Sequence, residues 1–112
     1  MNHNVEELNK IETASKGFFR GANREAISYI IKTFDSKMLE VKSKSGVERK
    51  ETIKKHLELA TGLRHSALRK GANSYKDAQW AAAALVESWL FLLRDGTSEE
   101  IQIAESIIDR MR

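Results

Sequence analysis

Residues 78–93 read AQWAAAALVESWLFLL, and this stretch decides the fold. It is apolar on almost every side of a helix, and a helix with that pattern lies at the centre of a domain rather than at its surface. Four consecutive alanines, residues 81–84, let neighbouring helices approach closely. Three large aromatic side chains supply bulk: Trp80, Trp89 and Phe91. We therefore predict a central helix over residues 74–94.

The rest of the chain consists of amphipathic segments that can surround this helix. Apolar residues recur at three- and four-residue intervals, and the chain contains no proline to interrupt them. The further predicted helices cover residues 4–19, 23–43, 47–70 and 98–112. The stripe of the second is Ile27, Ile30, Ile31, Phe34, Met38 and Val41, and that of the third is Ile53, Leu57, Ala60, Leu63 and Ala67. We predict an all-α bundle of four to five helices that forms one domain, residues 1–112.

Glycines and small polar residues mark the junctions between these helices. The triplet Gly-Ala-Asn occurs at residues 21–23 and again at residues 71–73, each time before a periodic apolar run. Glycine ends helices readily, and Asn23 or Ser74 can cap the helix that follows. After Asp95-Gly96, Thr97 or Ser98 can cap the last helix, with Glu100 in the capping-box position. We interpret both triplets as boundaries where one helix ends and the next begins, rather than as a phosphate-binding loop or a duplication.

The composition removes several classes of function. The absence of cysteine excludes disulfides, thiol catalysis and cysteine-ligated zinc. The start of the chain is polar and acidic, unlike a secretory signal, and the apolar runs are too short to cross a bilayer. Three histidines, at positions 3, 56 and 65, lack the spacing of metal ligands. We predict a cytoplasmic protein without metal, cofactor, membrane contact or catalytic residues.

Positive charge is concentrated in the middle of the chain. Residues 42–76 contain ten basic and three acidic residues, net +7, whereas residues 77–112 contain three basic and seven acidic residues, net −4. On the third predicted helix most of the cations lie away from the apolar stripe: Lys50, Lys54, Lys55, Arg64, His65, Arg69 and Lys70. Such a face attracts acidic protein surfaces or nucleic acid. The leading hypothesis is a non-enzymatic binding or regulatory module that contacts an acidic partner through this face.

Residues 57–73, LELATGLRHSALRKGAN, resemble a helix-turn-helix. In that register Gly62 lies at the turn, and Leu57, Leu63 and Leu68 pack the two helices together. The resemblance implies a DNA-binding regulator whose major-groove residues are Arg64, His65, Ser66, Arg69 and Lys70. The competing interpretation is that Gly62 is a tolerated glycine inside one long helix.

Residues 49–56, RKETIKKH, place an arginine and a histidine with six residues between them. This spacing resembles the Arg-x4–6-His motif of the HEPN ribonucleases, which are small α-helical bundles. The resemblance implies a HEPN-like ribonuclease as a further alternative, with Arg49 and His56 as its candidate residues.

The aromatic residues permit a third kind of contact. Five of them can form an apolar patch for a partner protein or a second copy of the chain: Phe18, Phe19, Trp80, Trp89 and Phe91. A buried core accounts for the same residues, so both interpretations stay open at this point.

Overall fold

A computed structural model of the chain describes residues 3–15, 22–68 and 74–112. These ranges contain five α-helices and no β-strand. The helices are α1 (His3–Ser15), α2 (Ala22–Ser43), α3 (Gly46–Leu68), α4 (Ser74–Asp95) and α5 (Ser98–Met111). The all-α prediction is confirmed, and the predicted bounds of α2, α4 and α5 agree with the observed ones to within one residue. None of the helices in the described ranges is long and apolar enough to cross a bilayer.

Helix α4 is the centre of the bundle, as its sequence predicts. It packs against each of the other four helices. Nearly all of its length from Ala78 to Leu93 is buried, including the four alanines and Trp89. Because the alanine side chains are short, the flanking helices can lie close to the α4 backbone, and the leucines that follow are buried in the same core.

Helix α2 buries the predicted stripe except for Ile30, which is only partly buried, whereas the buried arc of α3 is narrower than predicted. Over residues 46–67 of α3, the buried side chains are Ile53, His56, Ala60 and Ala67. The predicted core residue Leu63 is 37% exposed and Leu57 is only partly buried. Helix α3 packs against both α2 and α4, so its buried arc lies between these neighbours. His56 lies inside that arc because Glu40 on α2 supplies a hydrogen-bond partner for its ring.

The junction between α4 and α5 forms as the sequence predicts. The Thr97 hydroxyl accepts a hydrogen bond from the Glu100 backbone N–H at 3.2 Å, and the Glu100 carboxylate accepts one from the Thr97 N–H at 2.9 Å. A Cβ atom at Gly96 would lie 2.7 Å from the Leu92 carbonyl oxygen, so this position requires glycine. The predicted junctions at Gly21 and at residues 71–73 lie outside the described residues, as do the side chains of Asn23 and Ser74.

The C-terminal arginines attach α5 to the rest of the bundle. Arg110 donates two hydrogen bonds, of 2.7 and 3.0 Å, to the carboxylate of Glu12 on α1. Arg112 donates two, of 2.6 and 2.8 Å, to Asp35 on α2. The carboxylate hydrogen bonds raise the pKa of both guanidinium groups. These paired contacts hold the α5 terminus in one orientation, because an arginine fork matches the two oxygens of a carboxylate.

Candidate functional site

Part of the predicted basic face lines an open groove of about 560 Å³ beside α3. Its rim carries Lys50, Lys54 and His65 from α3 and Arg94 from the end of α4. Ile53 and Leu57 form its apolar floor, and Glu58, Thr61 and Gly62 complete the α3 side. We call this surface the basic groove. Its rim can attract negative charge while its floor contacts apolar side chains.

Arg94 is held at one end of the basic groove. Its guanidinium lies 2.7 Å from a carboxylate oxygen of Asp95 and 5.0 Å from the ring centroid of Phe91. The hydrogen bond from Arg94 lowers the pKa of the Asp95 carboxyl, so that carboxyl stays ionised under ordinary conditions. Asp95 offsets part of the positive charge of Arg94, which leaves Lys50 and Lys54 as the main cations of the rim.

Arg64 does not belong to the outward basic face, which corrects the prediction from the sequence. Its Nε atom is buried and lies 3.2 Å from the carboxylate of Glu87 on α4, although its N–H is not aligned for a hydrogen bond. Thr61 donates a 2.5 Å hydrogen bond to the same carboxylate. Glu87 interrupts the apolar run of α4, and the cation that turns toward it is therefore partly buried.

Lys55 is exposed but does not line the basic groove. Next to it, Nε2 of the buried His56 lies 2.7 Å from the carboxylate of Glu40 on α2. That hydrogen bond lowers the pKa of the Glu40 carboxyl, and the charges of nearby Lys55 and Lys44 act in the same direction. Lys55 thus lies on the side of α3 that faces α2.

The other predicted binding residues have different outcomes. Arg69, Lys70, Phe18 and Phe19 lie outside the described residues. Trp89 is buried in the core, and Trp80 and Phe91 are partly buried. The predicted aromatic patch is therefore wrong for Trp89, because α4 is covered by its neighbours along this part of its length.

Neither the helix-turn-helix resemblance nor the ribonuclease resemblance is matched by the geometry. Helix α3 is continuous through Gly62, so the turn that the first resemblance requires is not there. Arg49 donates a 3.0 Å hydrogen bond to the Leu93 carbonyl of α4, whereas His56 is buried against α2. The two residues thus support the packing of different helices. In the part of the chain that the structure describes, no three histidine or carboxylate side chains are arranged to hold a metal ion.

Sequence reasoning missed a second groove, on the α2 side of α3. Its volume is about 690 Å³, and Tyr29 and Ile30 from α2 line it together with Leu59 and Leu63 from α3. We call it the apolar groove. The sequence contains one signal for it, since Tyr29 and Leu59 are large apolar residues that fall outside the predicted stripes of their helices.

Comparison of the chain with protein-family models, curated proteins and solved structures finds no match.

Proposed function

We propose that the chain is a non-enzymatic binding module that holds an acidic, partly apolar protein segment in the basic groove. The observation that carries this proposal is the combination of a cationic rim with an apolar floor along one side of α3. A segment with carboxylates on one face and leucine-like side chains on the other complements both features.

The charge of the groove favours protein over nucleic acid as the partner. Lys50 and Lys54 are its main cations, Arg94 is paired with Asp95, and Glu58 lies among them. Duplex DNA presents about one negative charge per 1.7 Å of helix axis, and a matching surface needs a dense cationic array without carboxylates. The withdrawal of Arg64 to Glu87 further reduces the charge available for phosphates.

The apolar floor gives the complex a contribution that salt does not screen. Leu57 is partly buried beside Ile53, so an apolar side chain placed there removes additional area from water on both partners. We therefore expect affinity to fall with added salt without vanishing, since only the contacts of the rim are screened.

Binding to defined probes tests this proposal by fluorescence anisotropy. The probes are labelled amphipathic helical peptides with glutamate on one face and leucine on the other, and mixed-sequence duplex DNA and RNA with the same label. The double variant Lys50→Glu/Lys54→Glu should weaken peptide binding by about tenfold or more, because it replaces attraction by repulsion at the rim.

The matched control is Lys10→Glu/Lys32→Glu, which makes the same change in net charge at two exposed lysines on α1 and α2. It should bind the peptides as the unmodified protein does. An equal loss of peptide affinity in the two double variants would show that binding depends on the net charge of the protein and not on the basic groove. Tighter binding of DNA or RNA than of the peptides, lost in Lys50→Glu/Lys54→Glu, would assign the groove to nucleic acid and overturn the proposal.

A further inference from the structure

The apolar groove gathers most of the large hydrophobic side chains that are exposed among the described residues. Among the described residues, five large hydrophobic side chains are exposed. Three of them line this groove: Tyr29 at 72%, Leu59 at 44% and Leu63 at 37%. The other two, Leu39 and Val47, line neither this groove nor the basic groove. Clustered exposure of this kind marks an interaction surface, whereas single exposed residues are ordinary.

We propose that two copies of the chain associate through this face as an antiparallel dimer, with Tyr29 of each copy inserted in the apolar groove of the other. A two-fold interface needs one patch that is complementary to itself. This face offers both parts, because Tyr29 projects from α2 beside a groove with Ile30 and Phe34 in its lining.

The charges along α2 determine the direction of the pairing. Glu25, Tyr29, Thr33 and Lys37 follow one another at intervals of four residues and therefore form one inclined row on the helix surface. Glu25, Tyr29 and Thr33 line the groove. The Lys37 ammonium lies 5.9 Å from the ring centroid of Phe34, which also lines the groove, so Lys37 stands at the opposite end from Glu25.

Two such rows in antiparallel contact bring Glu25 of each copy to Lys37 of the other. The same operation sets Tyr29 beside Thr33 at the centre, so all four positions find complementary neighbours. A parallel arrangement would place Glu25 against Glu25 and Lys37 against Lys37, which is repulsive. This self-complementarity favours a second copy over an unrelated protein.

The dimer leaves the basic groove open on both copies. Leu57 lines the basic groove and Leu59 lines the apolar groove. Residues two positions apart on a helix point about 160° apart, so the two surfaces lie on opposite sides of α3. The dimer inference therefore does not depend on the proposed function, and either can fail alone.

Light scattering after gel filtration, over a wide range of concentration, tests the association. The expected mass approaches twice 12.7 kDa as the protein is concentrated. Leu59→Asp should restore the monomer mass, because it places a charge in the dimer contact. The control Leu39→Asp makes the same change at an exposed leucine outside the groove and should stay dimeric. Circular dichroism confirms that both variants keep the helical content of the unmodified protein.

Charge reversal tests the antiparallel register. Glu25→Lys or Lys37→Glu alone should weaken self-association by about tenfold, since each creates two repulsive contacts in the dimer. An equimolar mixture of the two single variants should recover the mass of a dimer. One variant then carries lysine at both positions and the other carries glutamate at both, so each contact between them joins opposite charges. A mixture that stays monomeric overturns this register. A protein that is monomeric at every concentration, or a dimer indifferent to Leu59→Asp, overturns the proposal itself.

Discussion

The two grooves beside α3 are both lined by this helix, but they differ in whether their apolar side chains are covered by charged ones or exposed to solvent. The basic groove places Ile53 and Leu57 beneath cationic side chains, whereas the apolar groove leaves Tyr29 and Leu59 exposed. Both exist because the packed face of α3 is narrow, and two of the described residues buried on it, Ala60 and Ala67, are alanines. A helix that needs only a narrow inner face keeps a wide outer arc, which can carry two chemically distinct surfaces.

The largest expected effect comes from residues that serve as both groove wall and core. Phe34 lines the apolar groove and Ile53 the basic groove, and both side chains are almost fully buried. Phe34→Ala should lower the free energy of unfolding by about 3–5 kcal/mol and Ile53→Ala by about 2–5 kcal/mol, because each leaves a cavity. Urea unfolding measures both losses.

The exposed Leu39 provides the control for this comparison, and Leu39→Ala should change stability by less than about 0.5 kcal/mol. If Phe34→Ala or Ile53→Ala were as mild as the control, the corresponding groove would be separate from the core. Substitutions in that groove would then leave the stability of the helical bundle unchanged.

A smaller effect is expected from the carboxylates that attach α3 to its two neighbours. Glu87 on α4 is 14% exposed and contacts Arg64 and Thr61, whereas Glu40 on α2 is 46% exposed and contacts His56. Glu87→Ala should cost about 1–3 kcal/mol, because it leaves a partly buried guanidinium without its counter-charge. Glu40→Ala should lower the free energy of unfolding by less, because the Glu40 carboxylate is more exposed to water than that of Glu87. Equal losses in thermal unfolding would contradict this ranking.

The contribution of Glu40 to stability should depend on pH. Hydrogen bonding to His56 holds the pKa of Glu40 below the ordinary glutamate value of about 4.3. A carboxyl with a lowered folded-state pKa stabilises the fold above its unfolded pKa and loses that contribution as the pH falls through the folded value. The stability difference between the unmodified protein and Glu40→Ala should therefore persist at about pH 6 and close below about pH 4.

The sequence predicts the inside of this bundle better than its surfaces. The all-round apolar pattern of residues 78–93 identifies the central helix, and the Thr97 to Glu100 spacing identifies its boundary with α5. Both signals are local, because they depend on burial all round one helix or on hydrogen bonds within one turn. Local signals can be read from adjacent residues without knowledge of the remaining chain.

The narrow buried arc of α3 could not be predicted in the same way. Its apolar side chains, including Leu57, Leu59 and Leu63, cover a wide arc, and only packing against α2 and α4 decides which part turns inward. The outcome for Arg64 depends on Glu87, 23 positions later on another helix. Contacts between helices thus decide which cations stay at the surface, and a single helical pattern does not contain them.

The smallest expected effect concerns Gly62, which lies inside the continuous helix α3. A Cβ atom at this position meets nothing within 4 Å, and the residue lies inside α3. Gly62→Ala should therefore raise the free energy of unfolding by about 0.5–1 kcal/mol, because alanine loses less backbone entropy than glycine in a helix. The same substitution at Gly96 should destabilise the protein, since its Cβ would clash with the Leu92 carbonyl. A loss of stability in Gly62→Ala would contradict a helical backbone at this position. Because Gly62 also lines the basic groove, the added methyl group should weaken peptide binding while it stabilises the helix. A variant that is more stable yet binds the peptide more weakly would show that the groove contacts the peptide directly, independently of the stability of α3.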